Sequence, residues 1–400
     1  MAEGRDGRGN DCKHDCKNTP TPEARFSPQS QRRLIHRPAY QFHLDTGAGV
    51  IEVRAWHGQD PGDRHWGWPL RERWGLAGYQ QMSPGWPPQL AFTLTVTTSY
   101  EGAVALLRQL GHRADEATLP GPAQKLGARA EAQTQQRLAG PVVEQPPQRA
   151  ASAVGVLMLD GGQVRQRGPG WGKRKTPQPR VEWHELKTGV FYLQEPAARK
   201  NGRGLLTDKV VVSWQGAPLE RGRRRQQAAC EHGLGRARQK LVVSAGAPWI
   251  GNVAQDRWQG AVELLDFYHA RRHVWALGEA VQGNREAAHA WGEQRLHQLR
   301  HGRPAGALRT IAGLKAGRSQ VGEVIRREQN CFAGHARRLN YRAVAQPGWP
   351  IGSGPVESAC LQRQGRFKRS GQFWTPPGLR HLSALIESRQ NGHWDALWNQ

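Results

Sequence analysis

Val154-Gly-Val-Leu-Met-Leu159-Asp160-Gly161-Gly162 decides the fold class of this chain. The apolar run is short and ends on a glycine pair, the pattern of a buried strand followed by a turn. A carboxylate at the end of a buried strand is costly unless it meets a metal ion or a positive group. The plainer reading is an aspartate that opens an Asp-Gly hairpin turn.

Forward from there, Val181–Leu193 reads as two strands joined at Lys187-Thr-Gly189, and Lys209–Trp214 as a third. Leu219–Gln239 reads as a strongly basic helix broken near Gly233 and Gly235. Leu241–Ser244 is a buried strand of parallel type, and Ala261–Leu265 another. The latter ends in Asp266-Phe-Tyr-His269. Asp266 and His269 thereby fall at a strand-to-helix junction on the carboxyl edge of the sheet, where α/β sites lie. His269 reads equally well as a capping or packing histidine. A hairpin meander right after the first acid strand is what a ribonuclease-H-like sheet requires, so the expectation is an α/β class with a ribonuclease-H-like mixed sheet over residues 151–388.

Farther on stands Ile351-Gly-Ser-Gly-Pro-Val-Glu-Ser-Ala-Cys360. Its glycines and proline form a turn, Ser353 suits an N-cap and Pro355 the first helical position. The helix is expected to run from about Pro355 through Lys368. Glu357 falls in its first turn, where the helix dipole favours a carboxylate. Most such glutamates are dipole partners or surface charges. The sharper reading makes Glu357 a metal ligand that meets acids from strand ends. Arg363, Arg366, Lys368 and Arg369 follow as a basic face for DNA phosphates. Residues 270–345, between the two halves of this site, read as an arginine-coated helical insertion. A closing helix over Leu379–Gln390 precedes a short tail at 389–400.

Upstream, residues 1–60 are polar, lack periodicity and read as a disordered basic tail. Cys12 and Cys16 have no partner pair at zinc-finger spacing. Residues 61–150 read as a helical region and linker for binding DNA ends. Within them Ser99–Gly111 is a capped helix, and Ala114–Thr118 starts a second segment of helix-turn-helix type that Pro120 and Pro122 interrupt. A plain helical hairpin fits equally. Pro146 and Pro147 mark the linker.

The chain has 400 residues with 57 Lys+Arg against 33 Asp+Glu, a net charge of +24. That points to a polyanionic partner, nucleic acid before an acidic membrane surface. No apolar run approaches the ~18 residues of a membrane span, and no apolar segment near Met1 reads as a secretory signal. Five scattered cysteines fit a reducing cytoplasm rather than a disulfide scaffold.

Taken together, the motifs resemble a bacterial insertion-sequence transposase of the DDE class, ISKra type, over about Trp74 to Trp398. Trp74-Gly-Leu with Ser83-Pro84, Leu159-Asp-Gly161 and Trp183-His-Glu-Leu-Lys187 carry the resemblance. So do Gly246-Ala-Pro-Trp-Ile250, Leu265-Asp-Phe-Tyr-His-Ala270 and Ile351–Glu357. Lys368-x-Ser-Gly371 with Trp374, and Trp394-x-x-Leu-Trp398, complete it. The resemblance implies three acids holding two Mg²⁺ or Mn²⁺ ions, cleavage and transfer of DNA strands at element ends, and a homo-oligomer assembled on DNA. It also implies a cytoplasmic, nucleoid-associated protein. Asp160 is then the first acid and Glu357 the last. Asp266 is one candidate for the second, with His269 as its accessory. The other is position 245, where relatives look like Asp-Gly-Ala-Pro-Trp-Ile and this chain has Ala245. The Cys-x-x-Cys pair expected before Trp74 is also missing. Two functions follow: a strand-transferring transposase, or a DNA-binding remnant of one without catalysis. A ribonuclease-H-like nuclease unconnected with transposition is a third.

Overall fold

The computed structural model describes residues 26–27, 29–35, 39–46, 49–74, 76, 83, 86–141, 153–172, 180–195, 206–216, 228–231, 233–234 and 237–398. Cys12 and Cys16, residues 75 and 77–82 of the turn motifs, Pro146 and Pro147, and residues 219–227 of the expected basic helix lie outside them. The chain divides into two compact units, Met1–Pro120 and Gly121–Gln400.

In the first unit, β1 (Ala39–Thr46) and β2 (Gly49–Trp56) form an antiparallel hairpin. The expectation of a disordered tail over 1–60 therefore fails at these residues. Phe42 and Leu44 alternate along β1, as Val53 and Ala55 do along β2, and Leu76 packs with them. After a short helical turn at Pro69–Arg73 come α1 (Trp86–Val96) and α2 (Tyr100–Gln109). Ser99 caps α2 by accepting from the Gly102 amide, as its sequence signature leads one to expect. A buried Asp45 oxygen lies 2.8 Å from His112 Nδ1, and the imidazole stacks on Trp86 at 3.9 Å. No recognition helix begins at Ala114: that segment turns, with Asp115 accepting from the Ala117 amide. The prolines do not break a helix either. Pro120 ends the first unit and opens α3 (Pro120–Ala139), 20 residues long and otherwise part of the second, because a first-turn proline gives up no intrahelical hydrogen bond.

The second unit is built on a five-stranded mixed sheet. Its strands are β3 (Val154–Arg167), β4 (Val181–Gln194), β5 (Leu206–Trp214), β6 (Gln239–Ser244) and β7 (Val262–Leu265). Their order across the sheet is β5-β4-β3-β6-β7. The first three pair antiparallel, while β6 and β7 run parallel to β3. Two expectations are corrected here. β3 does not stop at Asp160 but runs on through Gly161 and Gly162 to Arg167, paired throughout with β4. β4 is one strand rather than two, because Gly189 is needed for close packing and not for a turn. A Cβ there would stand 3.0 Å from Leu159 Cδ2.

Both sheet faces are buried. On one lie Val156, Met158, Val243 and Leu264, under helices α5 (Phe267–Val281), α6 (Arg285–Arg300), α7 (Pro304–Ala312), α8 (Gln320–Gly334), α9 (Tyr341–Ala345) and α10 (Gly354–Phe367). The helical insertion is thus present, and its apolar stripes (Val274, Leu277, Leu296, Ile325, Phe332) join the sheet core. On the other face Leu157, Leu159, Phe191 and Val242 pack against Ile250 and Ala254 of α4 (Pro248–Arg257) and against Trp258 just after it. The last helix, α11 (Pro376–Gln390), closes the β5 edge with polar groups. Asn391 both accepts from and donates to the Val211 backbone, and Glu387 accepts from the Ser213 amide. These bonds occupy the outward backbone groups of Val211 and the amide of Ser213 on the edge strand. No helix among the described residues is long and apolar enough to cross a membrane.

Candidate functional site

The parallel register sets Leu159, Ser244 and Leu265 side by side on β3, β6 and β7. The next residues are Asp160, Ala245 and Asp266, so the acid within β3 stands level with the ends of β6 and β7. A cleft opens there, lined by Asp160, Ala245, His269, Arg271, Arg272, Ser353 and Glu357 among others.

Asp160 is held in place by its neighbours. The Gly161 amide donates to Oδ1 at 2.8 Å, and the Cys360 side chain bonds to the carboxyl group. Burial raises the Asp160 pKa, and the nearby charges of Glu357 and Glu185 raise it further. The Cys360 thiol is itself pushed up to about 12, chiefly by burial and next by Asp160. It stays a thiol and donates.

Glu357 enters from α10. Ser353 occupies the N-cap position, yet its side chain makes no capping bond. Its hydroxyl donates instead to Glu357 Oε1 at 2.8 Å. The Ser353 amide donates to Asp266 Oδ2, and Asp266 Oδ1 accepts from the His269 amide. Asp266 is 1% exposed. It caps α5 and fixes the Ile351–Ser353 turn, aided by the Phe267 amide donating to the Ile351 carbonyl. It supports the cleft from behind rather than lining it.

His269 does line the cleft. Arg272 donates to its Nδ1 at 2.9 Å, its Nε2 lies 2.8 Å from His273 Nε2, and His273 Nδ1 meets the buried Glu328 carboxylate. These partners assign one neutral tautomer to each ring: His269 protonated at Nε2 and His273 at Nδ1. Burial, then His273 and Arg272, lower the His269 pKa to about 4.

Two members of the expected DNA-binding face turn inward. Arg363 is 3% exposed and bonds Ser213 and Gln390 beside Glu387. Arg366 is 4% exposed and stacks near the Trp374 ring. On α10 these positions fall on the stripe with Val356, Cys360 and Phe367 that packs on the sheet. Buried guanidinium groups cannot reach phosphate, whereas Lys368 and Arg369, past the helix end, are exposed.

Ser353, Glu357 and Cys360 stand at i, i+4 and i+7, one face of a helix. That spacing could have identified Ser353 and Cys360 as partners of the two acids from sequence. Arg271 and Arg272 carry no such signal.

The donor set can be compared with the two metal ions that the resemblance implies. Among the described residues no three His, Cys, Asp or Glu side chains converge as a metal-holding group. Asp160 and Glu357 share the cleft, Asp266 is buried behind it with each oxygen accepting a backbone amide, and position 245 offers a methyl. Two carboxylates without a third do not fit a pair of Mg²⁺ ions, and no cleavage step follows from them.

No family model matches the chain, and no curated protein matches it. Among solved structures it is similar to the Drosophila P element transposase strand transfer complex, at 11% identity and a TM-score of 0.24. The similarity covers 78% of this chain and 80% of that one. A likeness at that level carries no argument about fold or activity.

Proposed function

We propose that this chain is a DNA-binding protein of insertion-sequence transposase descent whose strand-cleavage centre has lost one acid. The observation that carries the reading is the cleft itself: the Ala245 methyl lines it together with Asp160 and Glu357. Position 245 is where the resemblance expects an aspartate. The mixed sheet, an antiparallel meander continued by two parallel strands, supports a reading as a ribonuclease-H-like core and with it the same descent. The excess of 57 Lys+Arg over 33 Asp+Glu supports a polyanionic partner. Mg²⁺ or Mn²⁺ would find Asp160 and Glu357 but no third carboxylate, so binding to element ends outlives cutting. Assembly as a homo-oligomer on DNA belongs to the same reading.

The test pairs two assays on the purified chain. Fluorescence anisotropy with duplex DNA should give binding that weakens steeply with salt, since each arginine–phosphate contact releases counterions. Incubation with supercoiled plasmid and Mn²⁺ should leave the plasmid intact. A salt slope near zero would contradict the DNA reading, and nicking by the unaltered chain would contradict the lost acid.

A further inference from the structure

Beyond the cleft, the β3–β4 hairpin projects an exposed aromatic surface. Trp183 is 55% exposed and stands directly opposite Arg165 in the strand pairing. The Arg165 guanidinium lies 5.8 Å from the Trp183 ring centre and 5.1 Å from that of Phe373. Lys368 Nζ also lies over Trp183, 5.7 Å from the ring centre. The Phe373 ring packs on Trp171 at 4.9 Å, and Arg167 lies 5.8 Å from Trp171. Three aromatic rings and three cations thus interleave.

The backbone makes this surface rigid. The Arg167 amide donates to the Trp374 carbonyl at 2.9 Å, and the Trp374 amide donates to the Arg165 carbonyl at 3.1 Å. Arg167 Nε also donates to the Phe373 carbonyl. Residues 373–374 are therefore laced to the outer half of β3. Glu185 shares the strand face of Trp183, and its charge is met by Lys187 at 2.9 Å. Arg165 and Asp160 are five positions apart on β3, so their side chains leave opposite faces of the strand. None of these six residues lines the cleft.

We propose that Trp183, framed by Arg165 and Lys368, is a stacking platform for an unpaired DNA base. At 55% exposure the indole keeps much of its surface in solvent beside the two cations over its ring. A base seated there places its flanking phosphates against the guanidinium and ammonium groups. Stacking plus backbone cations is how proteins hold single-stranded nucleic acid, and it is tolerant of sequence. Bases are unpaired in frayed ends and in strands displaced from a duplex. The proposal rests on the DNA-binding reading above and adds a preference for single strands.

The full-length chain is titrated into a single-stranded oligonucleotide carrying 2-aminopurine and, separately, into a duplex of equal length, with anisotropy and base fluorescence recorded together. The unaltered protein should quench the 2-aminopurine on binding the single strand. Trp183→Ala should abolish the quenching and weaken single-strand binding about tenfold, with duplex affinity changed less than about twofold. Trp183→Phe should retain most of both signals, which a fold defect would not. Single-strand binding unchanged in Trp183→Ala overturns the platform, and so does an equal loss for single strand and duplex. A platform that instead serves a second copy of this chain would show as altered sedimentation of DNA-free Trp183→Ala, and that also overturns it. Failure of the unaltered chain to bind either oligonucleotide sinks the DNA-binding reading itself.

Discussion

Ser353 is bonded to Asp266 through its amide and to Glu357 through its hydroxyl, so one serine ties a buried acid to an acid of the cleft. The tie explains why Asp266 matters although it is 1% exposed. Its two oxygens are consumed in aligning the start of α5 with the turn before α10. Replacing Asp266 by alanine removes a helix cap and strands the Ser353 amide. The expected loss is about 2 kcal/mol of unfolding free energy, read as a lower urea midpoint. Asp266→Asn, which keeps one acceptor oxygen, should lose less. If the two variants were equally stable, the proposed tie would be wrong.

The basic residues after Glu357 should separate into two classes. Arg363 is buried beside Glu387, so Arg363→Ala should cost about 3 kcal/mol while folded protein keeps its salt dependence of DNA binding. Lys368 and Arg369 are exposed, and alanine at each should leave stability nearly unchanged. Each should instead lower the salt slope of duplex binding by about one. Equilibrium unfolding and anisotropy across a salt series, on the same preparations, make the comparison.

Much of the second unit is legible in the sequence because its signals are local and agree with one another. The apolar runs at Val154–Leu159, Leu241–Ser244 and Val262–Leu265 are strands, and Pro355 stands in the first turn of α10. Legibility ends where a glycine answers to tertiary contact. Gly161 and Gly162 look like a turn after Asp160. In the fold they admit the Glu185 and Gln364 side chains, since a Cβ would stand 2.3 Å from Glu185 Oε1 or 2.9 Å from Gln364 Nε2. The β1–β2 hairpin has its period-two signal at Phe42 and Leu44, but the polar sequence around it hides the pattern. Of the site, Asp160, Glu357 and His269 are readable from strand ends and a helix start. The inward turn of Arg363 and Arg366 is readable only from the helix face that Val356 and Phe367 share with them.

Acid should destabilise the fold partly through His269. Its folded pKa, about 4, lies below the ordinary histidine value. Between that ordinary value of about 6.5 and 4, the unfolded chain binds the extra proton. Stability contributed by the neutral ring is therefore fully present above about pH 6.5 and falls as pH drops toward 4. Asp160, whose pKa is raised, acts in the opposite sense at the acid end, because its folded form takes up a proton first. His269→Gln should flatten the decline of stability between pH 6.5 and 4, measured by urea unfolding at a series of pH values. An unchanged slope would contradict the neutral tautomer assigned to the ring.

Gly246 follows Ala245 with φ at +87°, and a Cβ there would stand 2.6 Å from His335 Nε2. Gly246→Ala should therefore destabilise by about 2 kcal/mol, from left-handed backbone and from crowding together. A thermal midpoint equal to that of the parent would show that this turn relaxes freely.

The account stands most directly on the side chain at position 245. The measurement is conversion of supercoiled plasmid to open circle in Mn²⁺, comparing the unaltered chain, Ala245→Asp, and Ala245→Asp combined with Glu357→Gln. The account expects no conversion by the first, conversion by the second, and its loss in the third. Nicking by the unaltered chain at a rate that Ala245→Asp does not raise would contradict it.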